Sequence, residues 1–167
     1  MRYKDKERNS TEPKGELASR TLAMPADSNP KGDIFGGWIM SLMDSAGKMS
    51  ATPHAGGRVV TVAVSNITFL HPVHVGDTVC CYTNLKRRGR TSITLDVEVW
   101  VLRQGQGARI KVTDAEFTFV AVHEDGRPRK LTTPGPELQP QPVRERRRPS
   151  RQSKGEVSAI SAERTVP

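Results

Sequence analysis

The spacing of apolar and polar positions changes along this chain, and the changes mark its elements. Between Ile34 and Met49, apolar residues stand at 34, 35, 38, 39, 40, 42, 43, 46 and 49. At 100° per residue they cover most of a helical circumference, which predicts a long helix buried on nearly every side. Asp33 stands in the N-cap position, and Pro53 predicts that the helix stops before it. After the loop His54-Ala55-Gly56-Gly57 the period shortens. Val59–Leu70 is rich in β-branched residues and reads as a strand, as do Thr78–Leu85, Thr91–Leu102 and Arg109–Val122. In the third of these, Ile93, Leu95, Val97, Val99 and Val101 face one way and Thr94, Asp96, Glu98 and Trp100 the other. Ala115, Phe117, Phe119 and Ala121 share one face of the last.

A further strand is predicted within Glu16–Met24, followed by the turn-rich stretch Pro25–Asp33. The strand connections read as turns at His71–Asp77, a hairpin tip at Lys86–Arg90 and a turn at Gln104–Gly107. One strand, one long helix and a run of four strands define an α+β class, with a mostly antiparallel sheet curved round the helix. Residues 1–13 are charged and aperiodic and are expected to be disordered. Residues 132–167, rich in Pro, Arg, Gln and Ser, are expected to form a disordered basic tail. The folded domain is expected to span 14–131.

Charge narrows the partners. The chain of 167 residues carries a formal net charge of +8, which suggests an anionic partner at first sight. Yet between Lys14 and Asp125 twelve basic residues face eleven acids, and beyond Gly126 ten face four. The body is nearly neutral and the tail is basic. No aromatic side chain is interleaved with Arg144, Arg146, Arg147 and Arg148, so dedicated nucleic-acid binding is not expected. No apolar run reaches the ~18 residues of a membrane span. The cysteines, Cys80 and Cys81, are adjacent; strand neighbours point to opposite faces, so reduced thiols in a cytoplasmic protein are expected.

Candidate chemistry concentrates on the helix. Asp44 is the only charged residue between Asp33 and Lys48, and a carboxylate among apolar neighbours needs a partner or a task. Gly37, Met40 and Asp44 lie on one stripe. The Gly36-Gly37 start offers free backbone amides at the positive end of the helix dipole, suited to a carbonyl oxygen or developing oxyanion. The competing reading pairs Asp44 with Lys48 at i+4 and leaves it facing solvent. Asn29 reads either as an Asx-turn residue or as a site residue. Lys86-Arg87-Arg88-Gly89-Arg90 is a solvated tip or a phosphate cradle. His54, His71, His74 and His123 have no metal-site spacing.

Several of these motifs together are similar to those of a known family. Arg20-Thr21-Leu22-Ala23-Met24-Pro25-Ala26-Asp27, Asn29, Gly32-Asp33-Ile34-Phe35-Gly36-Gly37-Trp38 and Met43-Asp44 lie in the first half. Gly57-Arg58-Val59-Val60-Thr61-Val62, Thr68-Phe69-Leu70, Val75-Gly76-Asp77 and Glu98-Val99-Trp100-Val101 follow. From Arg20 to Leu131 the chain thus resembles the hotdog-fold acyl-CoA thioesterases, and within them the bacterial YciA-type acyl-CoA thioester hydrolases. The resemblance implies a hotdog fold: a central helix wrapped by a curved antiparallel sheet. It also implies dimers with active sites at their interface, assembled further as trimers of dimers. Asp44 would be the general base or nucleophile, made more basic by burial, and Asn29 would work with the aspartate of the opposing subunit. Gly36 and Gly37 would hold the thioester oxygen. Thr68, Phe69, Gly89, Thr91 and Ser92 would line the pantetheine and phosphate path, with Arg88 and Arg90 near the nucleotide. No cofactor is implied, since CoA belongs to substrate and product. One departure stands out: the small apolar residues that follow the family aspartate are replaced here by Ser45-Ala46-Gly47-Lys48. A non-catalytic acyl-CoA-binding hotdog, acting as a ligand sensor, is the alternative. A hotdog dehydratase would need a histidine on or beside the helix, and none lies between Asp33 and Pro53.

Overall fold

The computed structural model describes residues 12–105 and 107–132. Residues 1–11 of the expected disordered segment and 133–167 of the expected basic tail lie outside the described residues. The elements are β1 (Glu16–Leu22), α1 (Gly36–Ala55), β2 (Val59–Phe69), β3 (Thr78–Arg88), β4 (Ser92–Leu102) and β5 (Arg109–Ala121). A single turn of 3₁₀ helix at Pro25–Asp27 precedes α1. The five strands form one antiparallel sheet in the order β1-β3-β4-β5-β2.

Two boundaries differ from expectation. The helix starts at Gly36 with Phe35 as its N-cap, and Asp33 instead bridges to His74 in the neighbouring loop. The helix also runs through Pro53 to Ala55. Proline here lies in the last turn, where it forgoes only the bond to the carbonyl of Met49, itself an exposed residue. The stop comes at Gly56, whose φ of 64° reverses the chain. Gly56 donates to the Pro53 carbonyl and Gly57 to that of Thr52, the paired bonds of a Schellman motif.

The connection between β2 and β3 is also not a hairpin. These strands lie at opposite sides of the sheet, and residues 70–77 carry the chain from one to the other. Asp77 anchors this crossing. Its carboxylate accepts two bonds from the Arg103 guanidinium, at 3.0 and 2.8 Å, and one from the His74 amide at 3.0 Å. The crossing then binds the approach to the helix: Ile34 donates to Val73, and Gly76 to Ala23. The start of α1 is thus held by the loop before β3, a contact between distant parts of the chain.

The inner face of the sheet packs on α1. The alternating residues of β4 from Ile93 to Val101 and those of β5 from Ala115 to Ala121 meet Ile39, Met43, Ala46, Ala51 and Ala55. Each large side chain fully buried there contributes about 1.5–3 kcal/mol. The small residues on α1 let the helix lie close to the sheet. The helix is not buried all round, however: Gly37, Met40, Ser41, Ser45, Met49 and Thr52 are exposed. Edge strand β2 likewise exposes Val62, Val64 and Phe69. On the outer face Cys80, Tyr82 and Trp100 form a second, smaller cluster beside a buried ion pair between Lys111 and Glu98, 3.1 Å apart. Cys80 and Cys81 are free and buried on opposite faces. No helix among the described residues is long and apolar enough to cross a membrane.

Candidate active site

Asp44 projects from the middle of α1 beside β2. Its carboxylate is held at both oxygens: Lys48 Nζ lies 2.6 Å from Oδ2, and the Thr61 hydroxyl of β2 donates to Oδ1. The partly exposed carboxyl loses some solvation, which pushes its pKa up. The hydrogen bonds from Lys48 and Thr61 and the charge of Lys48 prevail and hold it below the usual aspartate value. Burial was expected to make this group more basic; its partners make it less so. The carboxylate is therefore ionised at neutral pH. An ionised carboxylate offers about four acceptor sites and two are in use, so it can still engage a water or an electrophile.

Thr61 is the residue that sequence reasoning did not single out. The signal was present, since Thr61 is a hydroxyl inside the apolar run Val59-Val60-Thr61-Val62-Ala63-Val64. Only strand pairing and helix position show that it meets Asp44.

The helix start keeps its expected character. Trp38 and Ile39 both donate to the Phe35 carbonyl, which leaves the amides of Gly36 and Gly37 without a partner among the described residues. A Cβ on Gly37 would meet nothing within 4 Å, whereas one on Gly36 would lie 3.3 Å from the Phe69 ring. Gly36 thus admits Phe69 closely, and Gly37 faces open space. Beside them opens a cleft of about 300 Å³, lined by Ile34, Gly36, Ile39, Phe69, Val73 and Val112. Gly36 and His71 lie on its lining among mostly apolar side chains.

Asn29 adopts the Asx turn. Its Oδ1 accepts from the amides of Lys31 and Asp33, at 2.9 and 3.1 Å, so the side chain is fixed with Nδ2 left to donate. No hydrogen bond joins it to Asp44 within the chain among the described residues.

The other expected ligand residues divide. Phe69 lies at the cleft, but Thr68, its strand neighbour, points to the outer face and lines a polar groove with Lys111 and Asp114. Strand alternation separates what adjacency suggested belonged together. Strand β3 runs on to Arg88, so the hairpin tip is shorter than expected and is closed by Gly89 donating to the Ser92 carbonyl at 2.8 Å. Arg88 donates to the Thr132 carbonyl at 2.6 Å, and the Leu131 amide to that of Arg90 at 2.9 Å. Thr91 accepts from Ala121. The tip is tied to the segment that follows β5, with the Arg90 side chain exposed. No group of His, Cys, Asp and Glu side chains that could hold a metal occurs among the described residues. The one helical histidine, His54, sits in the last turn, ten residues beyond Asp44.

A single helix packed on a curved five-stranded antiparallel sheet is the hotdog arrangement. A family model described as the thioesterase superfamily matches residues 31–108. The acyl-CoA thioester hydrolase YciA of Salmonella typhimurium is 56% identical over 126 residues, covering 74% of this chain and 95% of that protein. A hexameric thioesterase of Yersinia pestis is 55% identical, with 72% of this chain and 98% of that one covered and a TM-score of 0.69. A hexameric hotdog fold thioesterase of Campylobacter jejuni is 40% identical, with 71% and 91% covered and a TM-score of 0.66. The chain belongs to the YciA-type acyl-CoA thioester hydrolase family.

Proposed function

We propose that this chain hydrolyses fatty acyl-CoA to free acid and CoA, with Asp44 as the reacting carboxylate. The observation that carries this reading is Asp44 itself, oriented by Lys48 and Thr61 and ionised, on the helix that begins with two free glycine amides. A thioester carbonyl placed at the Gly36-Gly37 start would receive hydrogen bonds and the positive end of the helix dipole as negative charge develops on its oxygen. Asp44 then takes a proton from a water that attacks the carbonyl carbon and passes it to the departing thiolate, or attacks that carbon itself to give an anhydride that water hydrolyses to the free acid in a second step. The C–S bond breaks and the thiolate departs. A thioester has weak resonance stabilisation and a good leaving group, so a carboxylate and oxyanion donors suffice without a triad. The reaction calls for no resident cofactor.

Thr61 ties Asp44 to β2, the edge strand whose Val62 and Val64 are exposed. We place the active site at a seam where two protomers join along this edge, and a trimer of such dimers accords with the hexameric relatives. Asn29 Nδ2 would donate to the water or carbonyl at Asp44 of the partner subunit. Phe69 would wall the acyl path, and Arg88, Arg90 and the Gly89–Ser92 turn would meet the CoA phosphates. The reduced pair Cys80 and Cys81 fits a cytoplasmic enzyme of lipid metabolism.

The test is thiol release from acyl-CoAs of graded chain length by wild type and Asp44→Ala. Wild type should release CoA, and Asp44→Ala should lose on the order of a hundredfold or more in kcat. Binding of acyl-CoA without release at any chain length would replace the enzyme by a ligand sensor. Full activity in Asp44→Ala would remove Asp44 from the site.

A further inference from the structure

Among the described residues the charged partner of Asp44 is Lys48. Its Nζ lies 2.6 Å from Asp44 Oδ2 one turn along α1, while Thr61 reaches Oδ1 from β2. Two donors on two different elements, one at each oxygen, leave the carboxylate a single orientation. A single i,i+4 pair on an open helix face would not do this, because long exposed side chains exchange partners freely. Here the second donor belongs to a strand.

We propose that Lys48 is a positioning residue for the reaction, holding the Asp44 carboxylate against the Thr61 hydroxyl so that its remaining lone pairs point at the incoming water or thioester. The inference rests on the thioesterase reading and extends it to a residue at which this chain departs from the family pattern. A consequence concerns pH. The groups that face Asp44 are Lys48 from its own helix and Thr61 from β2. Strands β1, β3, β4 and β5 also pack on α1, and no charged group of theirs bears on Asp44 among the described residues. Lys48 is therefore the charge that keeps the carboxylate ionised as the pH falls. Removing it raises the pKa of Asp44, so the acidic limb of the activity profile moves to higher pH. A general-acid Lys48 would instead show as the loss of a basic limb with the acidic limb unmoved.

The experiment compares wild type, Lys48→Met and Lys48→Arg as full-length protein. Lys48 is half-exposed, so methionine replaces its stem without crowding the core. Two readouts are taken: kcat and KM for an acyl-CoA substrate across pH, and titration of the Asp44 carboxyl by ¹³C NMR, assigned with Asp44→Asn. In Lys48→Met, kcat on the plateau should fall about tenfold with KM changed less than about twofold, the signature of lost orientation rather than lost binding. The acidic limb and the Asp44 midpoint should both move up, and Lys48→Arg should return both toward wild type. A Lys48→Met enzyme with the wild-type profile and the wild-type Asp44 titration overturns the proposal while leaving the thioesterase reading intact. A wild type that releases no CoA overturns both, so the two failures are distinct.

Discussion

Gly47→Ala tests how closely α1 lies on the sheet and, through that, what holds Asp44 in place. Gly47 is buried, one turn beyond Asp44, and faces Phe119 of β5. A Cβ there would lie 2.6 Å from Phe119 Cζ and 2.9 Å from Cε2. Carbon atoms in contact prefer about 3.5–4.0 Å, so the methyl arrives close to 1 Å too near. The ring has little room to retreat: Phe119 is fully buried and stacks on Phe117 with centroids 6.2 Å apart. Three terms then compete. Alanine is favoured over glycine within a helix by about 1 kcal/mol. A buried methyl adds about 0.8 kcal/mol where there is space for it, and here there is none. Overpacking costs about 1–3 kcal/mol, and a clash between two rigid elements belongs at the upper end. The net expectation is a loss of about 1–2 kcal/mol, opposite in sign to helix propensity. Urea unfolding at one fixed protomer concentration reads it as a midpoint lowered by roughly 0.5–1 M, with the slope unchanged. Adding Phe119→Leu shortens the opposing ring, so the double variant should be less destabilised than the two single losses combined. Thiol release should fall as well, because a helix lifted at Gly47 draws Asp44 away from Thr61. A Gly47→Ala protein as stable as wild type would refute the close approach.

Three further outcomes follow from the same geometry. Asp77→Asn should cost about 2 kcal/mol at neutral pH by uncoupling Arg103 from the crossing loop. Burial pushes the Asp77 carboxyl up, but its bonds to Arg103 and the His74 amide hold it below the usual value, so its contribution is complete above the unfolded pKa near pH 4 and vanishes as pH falls through the folded one. Urea midpoints at pH 7 and pH 3 should therefore converge between Asp77→Asn and wild type in acid; parallel losses would refute the linkage. Lys111→Met strands buried Glu98 and should cost about 3 kcal/mol. Adding Glu98→Gln should recover part of that in thermal or urea unfolding by removing the uncompensated charge, while the amide oxygen still accepts from the Trp100 indole and the Lys14 amide, now 2.8 and 3.1 Å from Glu98 Oε2. Asp44→Asn should resemble Asp44→Ala in losing thiol release while unfolding at a urea midpoint near that of wild type, because a partly exposed i,i+4 ion pair contributes little to stability.

Much of this fold is legible in the amino-acid order. The strict alternation in β4 and β5 named the buried residues because strand side chains point to opposite faces in turn, and no other conformation makes use of that period. The long apolar stretch from Ile34 named the helix. Its ends were less legible. Pro53 counts as a breaker from local geometry, but in a last turn it forgoes one hydrogen bond at an exposed position, and Gly56 supplies the actual stop. The exposed stripe of Gly37, Ser41, Ser45 and Thr52 was hidden by the larger apolar residues beside it.

The site divides in the same way. Asp44 could be singled out as a candidate from its type and surroundings, since a single carboxylate among apolar helix residues is costly unless partnered or used, and Asn29 could be placed in a turn. The two glycines were visible in the amino-acid order, but that they open the helix was decided by the structure, which caps it with Phe35 rather than Asp33. What the carboxylate touches was decided by tertiary structure. Thr61 lies seventeen residues from Asp44 and reaches it only because β2 pairs with β5 at the sheet edge and runs beside the helix. Lys48 had two open directions at i+4, and the donor across from it selected one. The pKa of Asp44 followed: burial alone raises it, and the two partners reverse the sign. Local pattern determines which groups exist and which face they occupy, because those depend on backbone periodicity. Long-range packing decides which groups meet, because hydrogen bonds and charge act over a few ångströms that only the folded chain brings together.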